Sequence, residues 1–260
     1  MTARSALPVS AAAAVAALLA GCTSTAPNGK QGAGAELVRP GTLVTCTHLP
    51  YAPFEETRNG KIVGFDVDLV DLVAKDLGVT QRIVNTPFEG VETGQDFAIR
   101  TCDLAAAGMT ITPARAKVMD FSDPYFDATQ ALLVRRGATP VRKIADLKGK
   151  KLGYLKATTG ASYAKDHGPG VELVEFEDVG LLLAAVRSGQ VDAGINDNGV
   201  LLDYAKHNQD TAVTAEFDTG ERYGFAVRKG NDALRRRIDT ALAKAQRDGS
   251  YDRIHRKWFG

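Results

Sequence analysis

The sequence of 260 residues has almost no net charge, few histidines and cysteines, and no long uninterrupted apolar segment. Its 32 basic and 31 acidic side chains leave a formal charge of +1. Because no basic block is present to neutralise phosphates, nucleic acid is excluded as a partner. The four histidines and three cysteines lack the spacing of a metal site, so we expect neither a metal nor another cofactor. A hydrophobic content of 44% is typical of globular proteins with one large or two medium domains.

The N-terminus reads as an export segment rather than as part of the fold. One basic residue, Arg4, precedes an alanine- and leucine-rich run that is too short for a lasting transmembrane helix. The run ends in LLAGC, which resembles the bacterial lipoprotein cleavage box. We therefore expect a lipoprotein signal peptide over 1–21, lipid attachment at Cys22 and a flexible tether over 22–35. The protein would then be extracytoplasmic and lipid-anchored to the bacterial cell membrane; the alternative is a plain secretory signal with an incidental cysteine.

The two remaining cysteines lie on or beside predicted strands. Cys46 falls within Leu43–Thr47, and Cys102 directly precedes Asp103–Ala107. If these strands are neighbours in a parallel sheet, a disulfide is geometrically allowed, and the exported location permits it. Two free buried cysteines are the alternative.

From residue 42 onward, strand-like and helix-like segments alternate in two sets, the second beginning near Lys148. Such alternation predicts an α/β protein with mainly parallel sheets, arranged in two lobes. The predicted helices with the clearest boundaries are Asp66–Leu77, Val179–Ser188, Val200–His207, Asp232–Arg247 and Ser250–Lys257. Ligands of open α/β folds bind beyond the carboxyl ends of the strands, so we looked for functional residues in the loops found there.

One of these loops, GMTITPAR, combines capping residues with an arginine. Thr112 suits the N-cap of a helix and Pro113 its first position, which would place Arg115 in the first turn. A cation beside the positive end of a helix dipole is unfavourable unless an anion binds there. The alternative is that Arg115 pairs with Asp120 or Asp123 on the surface.

Two further loops carry aromatic side chains. Prolines stiffen the loop HLPYAPF, which holds Tyr51 and Phe54 at fixed angles. We expect Tyr51 to face a ligand cleft and Phe54 to close the core. Phe88, in the loop after the next strand, is expected to form the opposite wall of the cleft, with structural packing as the alternative.

The second predicted lobe contributes a second helix N-terminus that is suited to binding an anion, and a single carboxylate. Thr158 and Thr159 precede a predicted helix, although helix capping alone would explain one threonine. Asp197 ends a predicted strand, where it would cap the next helix or accept a ligand ammonium. Together with Arg115, these groups favour a receptor for a zwitterion, since arginine binds carboxylates in a bidentate manner.

At this point the sequence resembles a known family, the extracytoplasmic solute-binding proteins of polar amino-acid ABC transporters (bacterial solute-binding protein family 3). The resemblance covers Gly41–Gly260. It is carried by YAPFEE, GKIVGFDVDLVDLVAKDLGV, AGMTITPARAKVMDFSDPYFDATQALLV, ADLKGKKLG, ATTG, YGFAVRKG and DGSYDRIHRKWFG.

The resemblance implies a periplasmic-binding-protein-like type II fold, in which two α/β lobes close around the ligand like a Venus flytrap. Lobe I would comprise 36–128 and 223–260, and lobe II would comprise 129–222. The chain would cross between them near Asp127–Gln130 and Glu221–Gly224. The protein, expected to be a monomer, would deliver a free amino acid to the permease subunits of the transporter.

The resemblance also assigns roles to individual residues. Arg115 and the N–H groups of Thr110 and Thr159 would hold the ligand carboxylate, while Asp197 and the Gly108 carbonyl would hold the ammonium. The remaining implied contacts form a sandwich and a side-chain pocket: Tyr51 and Phe88 for the sandwich; His48, Leu155 and Asn196 for the pocket.

The side-chain pocket departs from the family pattern. Many relatives carry an acidic residue at the place of His48, which suits a cationic ligand. A histidine there, with Leu155 nearby, favours a neutral polar or acidic amino acid over lysine or ornithine. Lys156 at the cleft mouth would favour an anionic ligand; the alternative is that it points to water.

Two other functions are compatible with the same fold. Cyclohexadienyl dehydratases resemble this sequence and need a buried general acid, for which Glu89, His48 and Asp197 are candidates. A ligand-sensing lipoprotein is the other alternative; with no sensor domain following Gly260, we expect it to signal only through a partner.

Overall fold

The computed structural model describes residues 1–2, 35–138 and 141–260. Most of the expected signal peptide, the expected lipidation site Cys22 and nearly all of the tether lie outside the described residues. No helix in the described part of the chain is both long and apolar enough to cross a membrane.

The described chain alternates between strands and helices. The strands are β1 Thr42–Thr47, β2 Glu56–Arg58, β3 Lys61–Val63, β4 Thr80–Asn85, β5 Leu104–Ala105, β6 Met119–Phe121, β7 Phe126–Arg135, β8 Lys151–Leu155, β9 Glu172–Phe176, β10 Ala193–Asp197, β11 Thr211–Tyr223 and β12 Ala226–Arg228. The α-helices are α1 Phe65–Leu77, α2 Phe88–Glu92, α3 Gln95–Ala98, α4 Thr159–His167, α5 Val179–Ser188, α6 Asn198–His207, α7 Asp232–Arg247 and α8 Ser250–Phe259. Single 3-10 turns are formed by Arg115–Lys117 and Ile144–Leu147.

The strands form two five-stranded sheets and a small hairpin of β2 and β3. The first sheet has the order β4-β1-β5-β12-β6, and the second has the order β11-β7-β10-β8-β9. The predicted α/β class with two sheets is confirmed. The sheets are mixed rather than mainly parallel: β1 and β8 pair only with parallel neighbours, whereas β12 and β7 pair only with antiparallel ones.

Two chain segments connect the sheets. The chain enters the second sheet through β7 and leaves it through β11, and these long strands pair antiparallel from Arg135 and Thr211 to Phe126 and Tyr223. Antiparallel strands need no helical crossover, so the alternation of strands and helices did not indicate that β7 and β11 pair with each other. The lobe boundaries at 128/129 and 222/223 stay a prediction.

Helix α1 illustrates why the predicted helices form. Its apolar residues recur at helical spacing, and Leu69, Val70 and Val73 are fully buried against the first sheet. The helix ends at Gly78, whose left-handed conformation at φ 69° is easily adopted only by glycine. Helix α5 likewise begins after Asp178, which accepts the N–H of Leu181 at 2.9 Å.

An aromatic core lies between α1, α8 and the connecting strands. Phe54 is fully buried in it, with its ring centroid 5.0 Å from that of Phe126 and 5.2 Å from that of Tyr223. Phe54 therefore closes the core, as expected, and fixes the loop that carries Tyr51.

The two cysteines are joined within the first sheet. Cys46 on β1 lies opposite Ala105 of β5 in parallel register, and Cys102 precedes β5. The structure links Cys46 and Cys102 as a disulfide, with the Cα atoms 5.7 Å apart.

Candidate functional site

A buried cavity of about 30 Å³ lies between the two sheets, at the loops that follow their strands. Ten of the eleven predicted ligand-binding residues line it, together with three residues that were not assigned to the site. The lining residues are His48, Tyr51, Phe88, Ala107, Gly108, Thr110 and Arg115 on the side of the first sheet, and Leu155, Lys156, Thr158, Thr159, Glu177 and Asp197 on the other. The cavity adjoins an outer cavity of about 270 Å³.

Arg115 is the buried cation of this cavity, with only 4% of its surface exposed. Its Nη1 donates to the Thr110 carbonyl at 2.8 Å, and its Nη2 donates to the Ala157 carbonyl at 3.1 Å on the opposite side of the cavity. The guanidinium also lies 5.3 Å from the centroid of the Phe88 ring. The alternative of a surface pair with Asp120 or Asp123 is therefore wrong.

The turn that carries Arg115 is shorter than predicted. The Thr112 hydroxyl accepts the N–H of Arg115 at 3.2 Å, but the residue at the N-cap position is Ala114 rather than the predicted Thr112. Arg115–Lys117 is a single 3-10 turn instead of an α-helix. One turn has no macrodipole of consequence, so the side chain of Arg115, rather than a helix N-terminus, supplies the positive charge.

The second predicted helix start is present at α4. The Thr158 hydroxyl accepts the N–H of Ala161 at 3.1 Å and donates to the Leu155 carbonyl at 2.8 Å. Helix capping therefore accounts for Thr158, as the alternative held. The Thr159 hydroxyl donates to Glu221 Oε2 at 2.8 Å. The backbone N–H groups of Thr159 and Gly160, ahead of the capped Ala161, are the donors of α4 that suit an anion.

Asp197 ends β10 and is the buried anion opposite Arg115. Its side chain makes no helix-capping bond to α6; it accepts from the hydroxyl of Tyr51 at 2.7 Å and from Tyr223 and Gln130. Burial and, secondarily, the charge of Glu221 raise the pKa of Asp197 to about 6, although the three hydrogen bonds oppose this rise.

The hydrogen bonds around Asp197 involve three residues that were not predicted as site residues: Gln130, Glu221 and Tyr223. Glu221 is 8% exposed and accepts the hydroxyls of Thr110 at 2.7 Å and Thr159 at 2.8 Å. The Gln130 amide donates to Glu221 at 3.1 Å and also to Asp197. The available signal was a glutamine and a glutamate placed where the chain was expected to cross between lobes.

Polar contacts across the cavity mouth also join the two sides. His48 Nδ1 lies 2.9 Å from the Thr86 carbonyl, and Nε2 lies 3.1 Å from the Glu177 carbonyl on the other side. Lys156 Nζ lies 2.7 Å from Glu89 Oε2. Lys156 therefore already has an anionic partner.

Asn196 is the one predicted site residue that does not line the cavity. It is buried, and its Oδ1 accepts from the Tyr51 hydroxyl at 2.7 Å. Asn196 thus contacts a cavity wall instead of the cavity itself.

Gly108 forms the floor beside Tyr51. Its backbone adopts φ 52°, and an added Cβ would lie 2.8 Å from Cε1 of Tyr51. Asp66 accepts the N–H of Gly108 at 3.0 Å, so this hydrogen bond also fixes the backbone at Gly108. Within 35–138 and 141–260 the histidines, cysteines and carboxylates form no cluster suited to a metal ion.

Comparisons with known proteins agree with this geometry. The family model "Bacterial extracellular solute-binding proteins, family 3" matches residues 43–260. The chain is 36% identical over 205 residues to the ABC transporter glutamine-binding protein GlnH of Bacillus subtilis (strain 168), covering 77% of this chain and 74% of that protein. It is 32% identical over 224 residues to the putative ABC transporter arginine-binding protein 2 of Escherichia coli (strain K12), covering 84% and 90%.

Solved structures show the same architecture. An ancestral arginine-binding protein bound to glutamine superimposes with a TM-score of 0.81 at 40% identity, over 85% of this chain and 99% of that one. The fold is therefore periplasmic-binding-protein-like, type II. The relatives are transporter binding proteins rather than enzymes.

Proposed function

The chain belongs to the bacterial extracellular solute-binding proteins of family 3, and on that premise we propose that it binds a free amino acid and delivers it to an ABC transporter permease for uptake. The observation that carries the proposal is a buried arginine facing a buried aspartate across one cavity. Arg115 and Asp197 are each more than nine-tenths buried, and a zwitterion satisfies both charges at once.

The carboxylate of the ligand is held at Arg115. The guanidinium has five N–H donors, and its two contacts to carbonyl oxygens leave others for a carboxylate. The hydroxyl protons of Thr110 and Thr159 are donated to Glu221. These two residues therefore contribute their backbone N–H groups, rather than their hydroxyls, to the ligand carboxylate.

The ammonium is held by Asp197 and the Gly108 carbonyl. Tyr51 is fixed by its hydroxyl contacts to Asn196 and Asp197 at 2.7 Å. Its ring and that of Phe88 line the cavity and form the walls of the ligand sandwich.

Ligand entry requires the two sides of the cavity to part, since contacts such as Lys156–Glu89 and Arg115–Ala157 span it. We take the two moving bodies to be 36–128 with 223–260, and 129–222. Bending at the two connecting segments would open the cavity by hinge motion.

The ligand side chain and the membrane anchor are less constrained. A neutral polar or acidic side chain was expected from His48 and Lys156, but the pairing of Lys156 with Glu89 removes one of these reasons. We therefore propose a polar amino acid as the ligand, without specifying its side chain further. Lipidation at Cys22 and a monomeric state complete the proposal for an extracytoplasmic binding protein.

The direct test is a thermal-shift screen of protein that has been unfolded and refolded to remove carried-over ligand. The panel is the twenty amino acids and ornithine. A ligand at a hundred times its Kd stabilises the folded protein by about 2.7 kcal/mol, which raises the melting temperature measurably. A flat panel from folded protein contradicts the proposal.

The assignment of Arg115 is tested by Arg115→Ala. We expect a loss of at least about 2 kcal/mol in binding free energy, because the ligand carboxylate would be buried without its partner. The matched control is Arg187→Ala, which removes an exposed arginine paired with Asp210 on the outer face. Unchanged affinity in Arg115→Ala removes the central claim.

A further inference from the structure

The start of helix α6 packs directly against the ring of Phe54. Gly199 is the second residue of α6, and a Cβ atom added to it would lie 3.1 Å from both Cε2 and Cζ of Phe54. Carbon atoms in favourable van der Waals contact are about 3.5 to 4.0 Å apart. The backbone of α6 therefore reaches the ring only because residue 199 has no side chain.

The ring of Phe54 cannot move aside to make room for a side chain at position 199. Phe54 is fully buried. Its neighbours among the described residues include five aromatic rings with centroids 5.0 to 6.1 Å from its own: Tyr51, Phe65, Phe126, Tyr223 and Phe259. Because close-packed interiors transmit strain instead of absorbing it, an added methyl group would displace α6 instead of the ring.

The start of α6 is also fastened to both strands that connect the two sheets. Asn198, the first residue of α6, accepts the N–H of Thr129 on β7 with its Oδ1 at 3.2 Å. Its Nδ2 donates to Glu216 Oε2 on β11 at 3.1 Å. A displacement of α6 away from Phe54 would therefore be passed to the connecting strands and to the whole second body.

The contact between Gly199 and Phe54 lies next to the proposed ammonium site. Asp197 directly precedes α6, and Tyr51 lies three residues before Phe54 in the same loop. The Tyr51 hydroxyl donates to Asp197 at 2.7 Å. The approach of α6 to Phe54 thus sets how closely Asp197 comes to the Tyr51 wall of the cavity.

We propose that Gly199 is a positioning residue for ligand binding, whose lack of a side chain lets α6 close onto Phe54 and brings Asp197 to the ligand ammonium. This inference rests on the proposed function, in which 36–128 with 223–260 forms one moving body and 129–222 the other. A side chain at position 199 would hold the cavity partly open without altering any group that contacts the ligand.

The test is Gly199→Ala, studied by titration calorimetry on refolded protein. The probe is the amino acid that gives the unaltered protein its largest thermal shift among the twenty amino acids and ornithine. We expect about tenfold weaker binding, as for one methyl group added to a packed interior. The melting temperature of the ligand-free protein should stay equal or rise, because alanine favours a helix over glycine and the open form lacks the contact.

The matched control is Gly180→Ala. Gly180 is likewise the second residue of its helix, α5, and it also faces the other body. Its added Cβ would lie 3.4 Å from Cγ of Pro50, which is an ordinary contact distance, and 3.1 Å from Asp178 Oδ1 at its own helix start. Gly180→Ala should therefore keep the affinity of the unaltered protein.

Two further measurements separate a closure defect from a local packing defect. Small-angle X-ray scattering should show a smaller ligand-induced decrease in the radius of gyration for Gly199→Ala than for the unaltered protein and Gly180→Ala. In a Phe54→Leu background, which removes the ring edge, Gly199→Ala should weaken binding much less than it does in the unaltered protein.

Each result supports or overturns the proposal. Unchanged affinity in Gly199→Ala overturns it, whether or not the melting temperature falls, because the contact would then exist in the open form as well. Weaker binding with a full decrease in the radius of gyration also overturns it, since closure would be complete. Binding of no amino acid by the unaltered protein contradicts the proposed function instead.

Discussion

If Asp197 holds the ligand ammonium as proposed, ligand affinity should fall about tenfold when the pH is lowered from 7.5 to 5, because only the carboxylate form of Asp197 attracts an ammonium group. Its pKa lies at about 6 in the protein without ligand. About one tenth of the molecules therefore have the carboxylate at pH 5, and nearly all have it at pH 7.5. The apparent affinity scales with this fraction, which corresponds to about 1.4 kcal/mol.

The same group has the opposite effect on the stability of the ligand-free protein. The folded-state pKa of Asp197 is raised from 3.8 to about 6, so the folded state binds the proton more tightly than the unfolded state does. The contribution of Asp197 is fully present below pH 3.8 and is lost as the pH rises through 6, in total about 3 kcal/mol. A general acid-induced loss of structure cannot produce both trends, because it would weaken binding and stability together.

The assay is titration calorimetry with arginine and with glutamine, neither of which titrates between pH 5 and 7.5. Measurements at pH 5 in two buffers of different ionisation enthalpy should show close to one proton released per ligand bound. Asp197→Asn should bind more weakly, with an affinity that no longer depends on pH. His48→Gln is the control for the nearby imidazole and should keep the dependence.

Two results would refute this reasoning. The first is an affinity that stays constant from pH 7.5 to pH 5. The second is an Asp197→Asn protein with the same pH dependence as the unaltered one, which would assign the proton to another group.

Two further predictions concern the disulfide between Cys46 and Cys102 and the glycine beside Tyr51. Replacing Cys46 and Cys102 by serine opens a disulfide between positions 56 apart in the sequence and should lower the free energy of unfolding by about 4 kcal/mol in urea titrations, with ligand affinity retained in the folded fraction. Gly108→Ala should weaken binding about tenfold, since its φ of 52° is strained for alanine and the new Cβ meets Tyr51. Gly149→Ala, at φ 74° with open space around it, should leave calorimetric affinity unchanged, and equal effects of the two glycine changes would contradict a role for the floor.

The helices were predictable because their signals are local. Val179–Ser188 has the same bounds in sequence and structure, since an aspartate caps it and Gly189 ends it with φ 76°. The turn at Arg115 shows the limit of such signals. The Thr112 hydroxyl accepts the N–H of Arg115, yet the 3-10 turn begins only at Arg115 and does not continue as an α-helix beyond Lys117. Neither a capping residue nor a proline specifies how far a helix extends.

The residues of the cavity were predictable where they follow a parallel strand. His48, Tyr51 and Phe88 are recognisable because the carboxyl ends of β1 and β4 meet at one edge of the first sheet. Gln130 and Glu221 lie within the connecting strands instead, opposite each other only after β7 pairs with β11. Their 91-residue separation carries no local pattern, so the contact between these two side chains was not accessible from the sequence.

Under the proposed function, the arrangement of Arg115 and Asp197 favours a ligand with both charges. Desolvation lowers the pKa of Arg115 and raises that of Asp197, so burial disfavours the charged form of each. A carboxylic acid without an amine would neutralise Arg115 and leave Asp197 buried without a cation. An amine without a carboxylate would neutralise Asp197 and leave Arg115 with only the half-buried Glu92, whose Oε1 lies 3.8 Å from its Nε. Since an unpaired buried charge is far more costly than an exposed one, the proposed binding favours a ligand that carries both groups on one carbon atom, as a free amino acid does.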